Sequence, residues 1–153
     1  MSGLRESLIL HEDIRGVPYP DPLGLWTVGV GRCLERNPLT GPEWKALLDR
    51  RLISFALSNA GSMLLLDNDL LAAQQLCARS FEFWPRLDEM RRDVLIEMVF
   101  QMGIAGVLQF RTMLSAVSRG DWAAAAAAGL DSLWAKQTPA RAHELMHRLE
   151  FGT

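Results

Sequence analysis

The chain has 153 residues, 49% apolar and 22% charged, with a formal net charge of −2. That is enough apolar chain for one domain with its own core, and it excludes a disordered or fibrous class. So small a charge gives no electrostatic case for nucleic acid or for stable association with an acidic membrane surface, and Cys33 and Cys77 form no C-x-x-C pair or ligand cluster, so both are expected as free thiols.

Residues 3–12 repeat apolar positions at Leu4, Leu8 and Ile9, which predicts a short amphipathic helix. Asp13, Gly16 and Pro18 break it, so Glu12 falls near a helix C-terminus. Pro20, Asp21, Pro22 and Gly24 make a turn, and LWTVGV reads as a strand, leaving Asp21 on a hairpin loop and Thr27 on the returning strand. Thr40 and Glu43 form a T-x-x-E capping box, with Pro42 in the first turn, opening a helix to about Leu52.

A longer helix is expected from Ser54 to about Ala78, with Leu57, Ala60, Leu64 and Leu71 on one face and weakened at Gly61 by about 1 kcal/mol relative to Ala. Pro85 ends that region and Asp88 caps the next helix. Short helices follow at 104–109, 111–119, 121–129 and 138–149, the alanine run being read as helix propensity. Strands gathered in 17–34 and helices elsewhere give an α+β pattern. Arg5, Glu6 and Glu12 exclude a signal-peptide core, and VLIEMVFQMGIAGVL, broken by Glu97, Gln101 and two glycines, falls short of the roughly 20 residues of a bilayer span. No repeat or low-complexity linker marks a second domain.

Eight residues separate Glu12 from Asp21 and five separate Asp21 from Thr27. Two carboxyls and a hydroxyl are the groups needed to hydrolyse a glycosidic bond: a proton donor for the leaving oxygen, a carboxylate for water or the sugar cation, and a group to orient the water. The plain alternative is a helix with exposed charges followed by an ordinary Asp-bearing turn.

E-x8-D-x5-T followed by GVG, then RRDVLIEMVFQMG (91–103) and QTPARA (137–142) after Trp122 and Trp134, resembles the lysozymes of T-even-type bacteriophages, the phage endolysin family. The resemblance runs from about Leu4 to Thr153 and is looser over 33–90. It implies a lysozyme-like fold: a small hairpin lobe at about 13–60, a linking helix at about 54–78, and a helical lobe of 79–153 plus the N-terminal helix 1–12, with the glycan in a cleft between. It further implies catalytic roles for Glu12, Asp21 and Thr27, support from Arg141 beside the glutamate, and glycan contacts from Cys33 and Phe100. Peptidoglycan strands are the implied partner. A monomer without cofactor or metal is expected, waiting in the host cytoplasm for a holin-type pore.

Several positions depart from the family pattern. Asp13 stands where a small residue is usual, Arg32 replaces a histidine and is expected to pair with Asp69, and Met113 and Ala128 lie where polar contacts are expected. HELMH (143–147) also fits the zinc pattern H-E-x-x-H. It lacks a third ligand, and Glu144 with Arg148 reads as an ordinary i,i+4 pair on a solvated helix. Three functions follow: a muramidase, a lytic transglycosylase on the same substrate, and a catalytically silent peptidoglycan-binding phage module. Retention of Asp21 and Thr27 favours the first.

Overall fold

In the computed structural model, which describes residues 2–54 and 56–153, α1 (Ser2–Glu12) buries Leu4 and Leu8, one turn apart on its inner side. β1 (Arg15–Pro20), β2 (Trp26–Gly29) and β3 (Arg32–Cys33) follow as an antiparallel sheet in the order β1-β2-β3. Tyr19 lies opposite Thr27, and Thr27 opposite Cys33, so these three share one face of the sheet. Val28, opposite Arg32, lies on the other.

The capping box forms as the sequence predicts. At the start of α2 (Gly41–Asp49), the Glu43 N–H donates to Thr40 Oγ1 at 3.3 Å and the Thr40 N–H donates to Glu43 Oε2 at 2.8 Å. The helix ends at Asp49, short of Leu52, because Arg51 takes a left-handed φ of 54°.

The long helix α3 (Asn59–Ser80) begins later than the Ser54 start expected from sequence. Ser58 caps it instead, its Oγ accepting from the Gly61 N–H at 3.1 Å. The preceding segment is held by other bonds: Ile53 bridges Leu57, and the Leu57 N–H donates to Gly16 O at 2.8 Å. Met1 and Phe55, which fall within the ranges read as helix, lie outside the described residues. The buried stripe of α3 is Leu65, Leu66, Leu70, Ala73 and Cys77, whereas Leu71 is exposed and Ala60 faces out. The consecutive leucines 64–66 and 70–71 leave the phase of the apolar face undetermined by periodicity, which is why the expected face is misplaced.

The chain packs as two compact units, one up to Leu71 and one from Ala72, the boundary falling inside α3. In the first unit Val28, Leu47, Leu57 and Leu65 form a core edged by Leu34, Leu39, Leu52, Ile53 and Leu64. Gly61 is part of that core: a Cβ there would lie 2.6 Å from Leu57 Cδ1 and 3.0 Å from the Leu52 carbonyl oxygen. Arg32 is buried in the same unit and reaches Asp69 at 3.3 Å, as expected, but Glu43 is its main partner.

The second unit is helical. Asp88 caps α4 (Glu89–Val107), accepting from the Arg91 N–H at 2.9 Å. Gly103 kinks the helix at φ 72°, so the short helix expected at 104–109 is the post-kink continuation to Val107. The inner face of α4 buries Val94, Leu95, Met98 and Glu97, whose carboxylate meets Arg148 at 2.5 Å. α5 (Arg111–Arg119), α6 (Trp122–Leu130), α7 (Leu133–Gln137) and α8 (Pro139–Phe151) follow. The alanine run of α6 is more than propensity: Ala125, Ala126 and Gly129 are buried and let α6 approach α8, close enough that Met146 Sδ lies 2.1 Å from where a Gly129 Cβ would stand. α7, at five residues, is too short to show a period and has no counterpart in the sequence reading. A small antiparallel sheet among helices confirms the α+β class. No single helix among the described residues is long and apolar enough to cross a membrane.

Candidate active site

Glu12 is the last residue of α1 and is half-buried. The next residue, Asp13, sits at φ 64°, and its N–H donates to Ile9 O at 3.0 Å, closing the helix. A left-handed turn explains why a small residue is usual there; Asp tolerates it because its short polar side chain bonds locally, Oδ1 accepting from the Ile14 N–H at 2.7 Å. The Asp13 side chain is exposed and lies 3.6 Å from Arg15 Nε, so it closes the helix end in contact with solvent.

Glu12 packs over Gly31. A Cβ on Gly31 would meet Glu12 Oε2 at 3.0 Å, Cγ at 3.3 Å and Cδ at 3.4 Å. Gly31 also holds a φ of 70°, so the loop between β2 and β3 gives the glutamate its seat through bare backbone.

Asp21 holds the turn after β1. Its carbonyl accepts from the Gly24 N–H at 2.9 Å, with Pro22 at the second turn position and Gly24 at the fourth, the pattern a type I turn favours. The side chain braces the same turn, Oδ1 accepting from the Leu23 and Leu25 N–H groups, both at 2.8 Å. Oδ2 has no protein hydrogen bond among the described residues. The plain reading of Asp21 as a turn former is therefore true of one oxygen and leaves the other for a ligand.

Thr27 is 4% exposed, and its Oγ1 donates to Leu25 O at 3.3 Å. Cys33 is half-buried beside it in register and is a free thiol, as is buried Cys77. Burial pushes the Cys77 thiol up to about 12, so it stays protonated.

Tyr19, which the motif reading passed over, joins the group. Burial raises its pKa above 10.0; Arg15 opposes the rise, and the carboxylates of Glu12, Asp13 and Asp21 add to it. Its phenol therefore stands within the electrostatic reach of both candidate carboxyls, Glu12 and Asp21. Strand alternation was the available signal, since Tyr19 precedes Asp21 by two residues and the hairpin returns it opposite Thr27.

Arg141 and Phe100 belong to the second unit, Arg141 half-buried in the first turn of α8 behind Pro139 and Phe100 half-buried on α4. That unit carries a groove of about 360 Å³ whose lining includes Phe110, Arg111, Met113, Ala128, Asp131 and Trp134. Trp134 is fixed there, donating through Nε1 to Gln101 Oε1 at 2.9 Å and packing edge-on to Phe110. The Met113 and Ala128 departures thus make part of this groove wall apolar.

The HELMH histidines are exposed on α8. Glu144 lies 3.9 Å from Arg148, as the i,i+4 reading expects, and the His147 ring rests on Phe151. Among the described residues no cluster of three or more His, Cys, Asp or Glu side chains is placed to hold a metal ion.

An acid-bearing hairpin and small sheet followed by helices is the architecture of a lysozyme-like α+β protein. A family model for phage lysozyme matches residues 10–150, and the chain belongs to that family, which makes it a lysozyme-like glycoside hydrolase. It is 31% identical over 150 residues to the pre-baseplate central spike protein Gp5 of Enterobacteria phage T4, covering 92% of this chain and 26% of that relative. It is 30% identical over 165 residues to the probable T4-type lysozyme 1 of Dictyostelium discoideum, covering 100% of this chain and 96% of the relative, and 29% identical to the probable T4-type lysozyme 2 of the same organism. The chain thus spans about a quarter of Gp5 and nearly the full length of the two Dictyostelium relatives.

Proposed function

We propose that the chain is an N-acetylmuramidase hydrolysing the β-1,4 bond between N-acetylmuramic acid and N-acetylglucosamine in bacterial peptidoglycan. Glu12 is the general acid, Asp21 the general base, Thr27 the residue that orients water, and Arg141 a supporting cation, with Cys33 and Phe100 against the glycan. The observation that carries this reading is the divided carboxylate of Asp21, one oxygen fixed by two backbone N–H groups and the other open.

In the reaction, Glu12 gives its proton to the glycosidic oxygen as the bond to the anomeric carbon breaks. Positive charge gathers on that carbon, and Asp21 takes a proton from the water that attacks the opposite face. Glu12 ends ionised and Asp21 protonated, and solvent restores both. A water between two carboxyls requires them roughly 6.5–9.5 Å apart and inverts the anomeric configuration.

The biological role we infer is host-cell lysis. The protein accumulates as a monomer in the host cytoplasm and reaches the wall through a holin-type pore. The likeness to Gp5 supports a second reading, in which the same hydrolase serves within a phage particle. Mass analysis of released muropeptides tests the chemistry. Hydrated reducing ends support a muramidase, 1,6-anhydro ends indicate a lytic transglycosylase, and no release indicates a silent module.

A further inference from the structure

We propose that Tyr19 is a substrate-positioning residue of the same site, its hydroxyl donating a hydrogen bond to an oxygen of the bound glycan. This rests on the reading of Glu12, Asp21 and Thr27 given above and extends it to a residue outside the motif.

Placement is the first argument. Tyr19 is directly opposite Thr27, so its side chain leaves the sheet on the same face as the hydroxyl assigned to water. Paired side chains at such positions stand about 5 Å apart at Cβ, close enough to touch one sugar unit together.

The ring is also held. The Arg15 guanidinium lies 4.5 Å from its centroid, and Arg15 Nε lies 3.6 Å from Asp13 Oδ2. A cation over one ring face and half-burial restrict the phenol, so a hydrogen bond made there loses little side-chain freedom.

The hydroxyl, by contrast, has no protein hydrogen-bond partner among the described residues, although three carboxylates act on it. A phenol is protonated at neutral pH, and burial, with smaller contributions from those carboxylates, raises the Tyr19 value further, so it remains a donor. A glycan rich in hydroxyl and acetamido oxygens supplies acceptors.

Tyr19 is the only tyrosine in the chain, so 3-fluorotyrosine labelling gives a single fluorine resonance assigned without mutation. The probe is a tetrasaccharide of alternating N-acetylglucosamine and N-acetylmuramic acid, added to the labelled full chain. A saturable shift of that resonance is expected. In steady-state assays on the same saccharide, Tyr19→Phe should raise KM by about tenfold while kcat stays within about twofold, the loss expected for one removed hydrogen bond. Its melting temperature should match the parent, since no protein contact is deleted.

A resonance that stays fixed at saturating saccharide overturns the inference, as does an unchanged KM or a loss confined to kcat. Failure of the underlying reading looks different: there Glu12→Gln itself retains turnover. An inactive Glu12→Gln together with an unaffected Tyr19→Phe rejects the role of Tyr19 alone.

Discussion

Arg32 and Glu43 are joined through both arms of the guanidinium, Nη1 to Oε1 at 2.7 Å and Nη2 to Oε2 at 2.9 Å, with both residues buried. Arg32 also donates to the carbonyls of Asn37 and Pro38 at 3.0 Å, and Asn68 donates to Glu43 Oε1 at 2.9 Å. The capping glutamate of α2 is thereby the counter-ion for the arginine at the end of the hairpin. A planar, permanently charged fork satisfied on every side suits this position, and a titrating group would not.

Burial alone raises the pKa of Glu43, but hydrogen bonds from Arg32, the Thr40 N–H, Asn68 and the Thr40 hydroxyl outweigh it and hold it at about 2, against an ordinary 4.5. A depressed folded-state value means the stabilisation is complete above about pH 4.5 and is lost as the pH falls toward 2. Glu43→Gln should therefore cost about 3 kcal/mol at pH 7, because it leaves Arg32 buried without its counter-charge. Urea unfolding at pH 7 and pH 3 checks this, and the gap to the parent should narrow at pH 3. Asp69 behaves differently. Burial raises its pKa, with Arg32 and the Asn37 side chain only partly offsetting that. Asp69→Asn removes a disfavoured charge and should cost less than about 1 kcal/mol. Equal losses in the two variants would show that Asp69 carries the pair after all.

How legible this was in the sequence depends on distance along the chain. Thr40 and Glu43 are three residues apart and announce a capping box, but the eleven residues from Arg32 to Glu43 are closed only by tertiary packing. The Arg32–Asp69 contact was readable through the family resemblance and is present, yet it is the lesser interaction. Asp21 and Thr27 stand on the hairpin as expected because turn chemistry and β-branching are local signals. Gly31 and Tyr19 were missed because one acts through an absent side chain and the other through register. The true start of α3 at Asn59 was hidden because what precedes it, the left-handed Arg51, the Ile53–Leu57 bridge and the Leu57 N–H bond to Gly16 O, is fixed by contacts that propensity does not announce.

Gly61 reverses the sign that helix propensity gives. An alanine there would gain about 1 kcal/mol of propensity, but its Cβ would press on Leu57 and on the Leu52 carbonyl. Gly61→Ala is expected to lower the melting temperature, by circular dichroism or calorimetry. A rise would mean that Leu57 moves aside at little cost.

Gly31→Ala tests the seat of the glutamate. The added methyl must push the Glu12 carboxyl away, and the left-handed backbone adds strain of about 1–2 kcal/mol. Since small displacements of a reacting group are costly, turnover on peptidoglycan should drop at least about tenfold with the fold retained. Undiminished activity would show that the site does not depend on where Glu12 rests.

The exposed histidines of α8 should be dispensable. His143→Ala/His147→Ala is expected to keep parental activity on peptidoglycan with and without EDTA, because Glu144 is engaged with Arg148. Activity abolished by chelation and restored by zinc would make the H-E-x-x-H pattern functional.

Every role proposed for this site depends on Glu12 as the proton donor, and one substitution addresses it. Glu12→Gln changes volume very little and removes the transferable proton together with the carboxylate charge of a half-buried residue outside the apolar core, so the variant should remain folded, as circular dichroism would show. Its release of muropeptides from purified peptidoglycan should fall to the background of a no-enzyme control. Parental activity in a folded Glu12→Gln would place the proton donor elsewhere and contradict the assignment of this site.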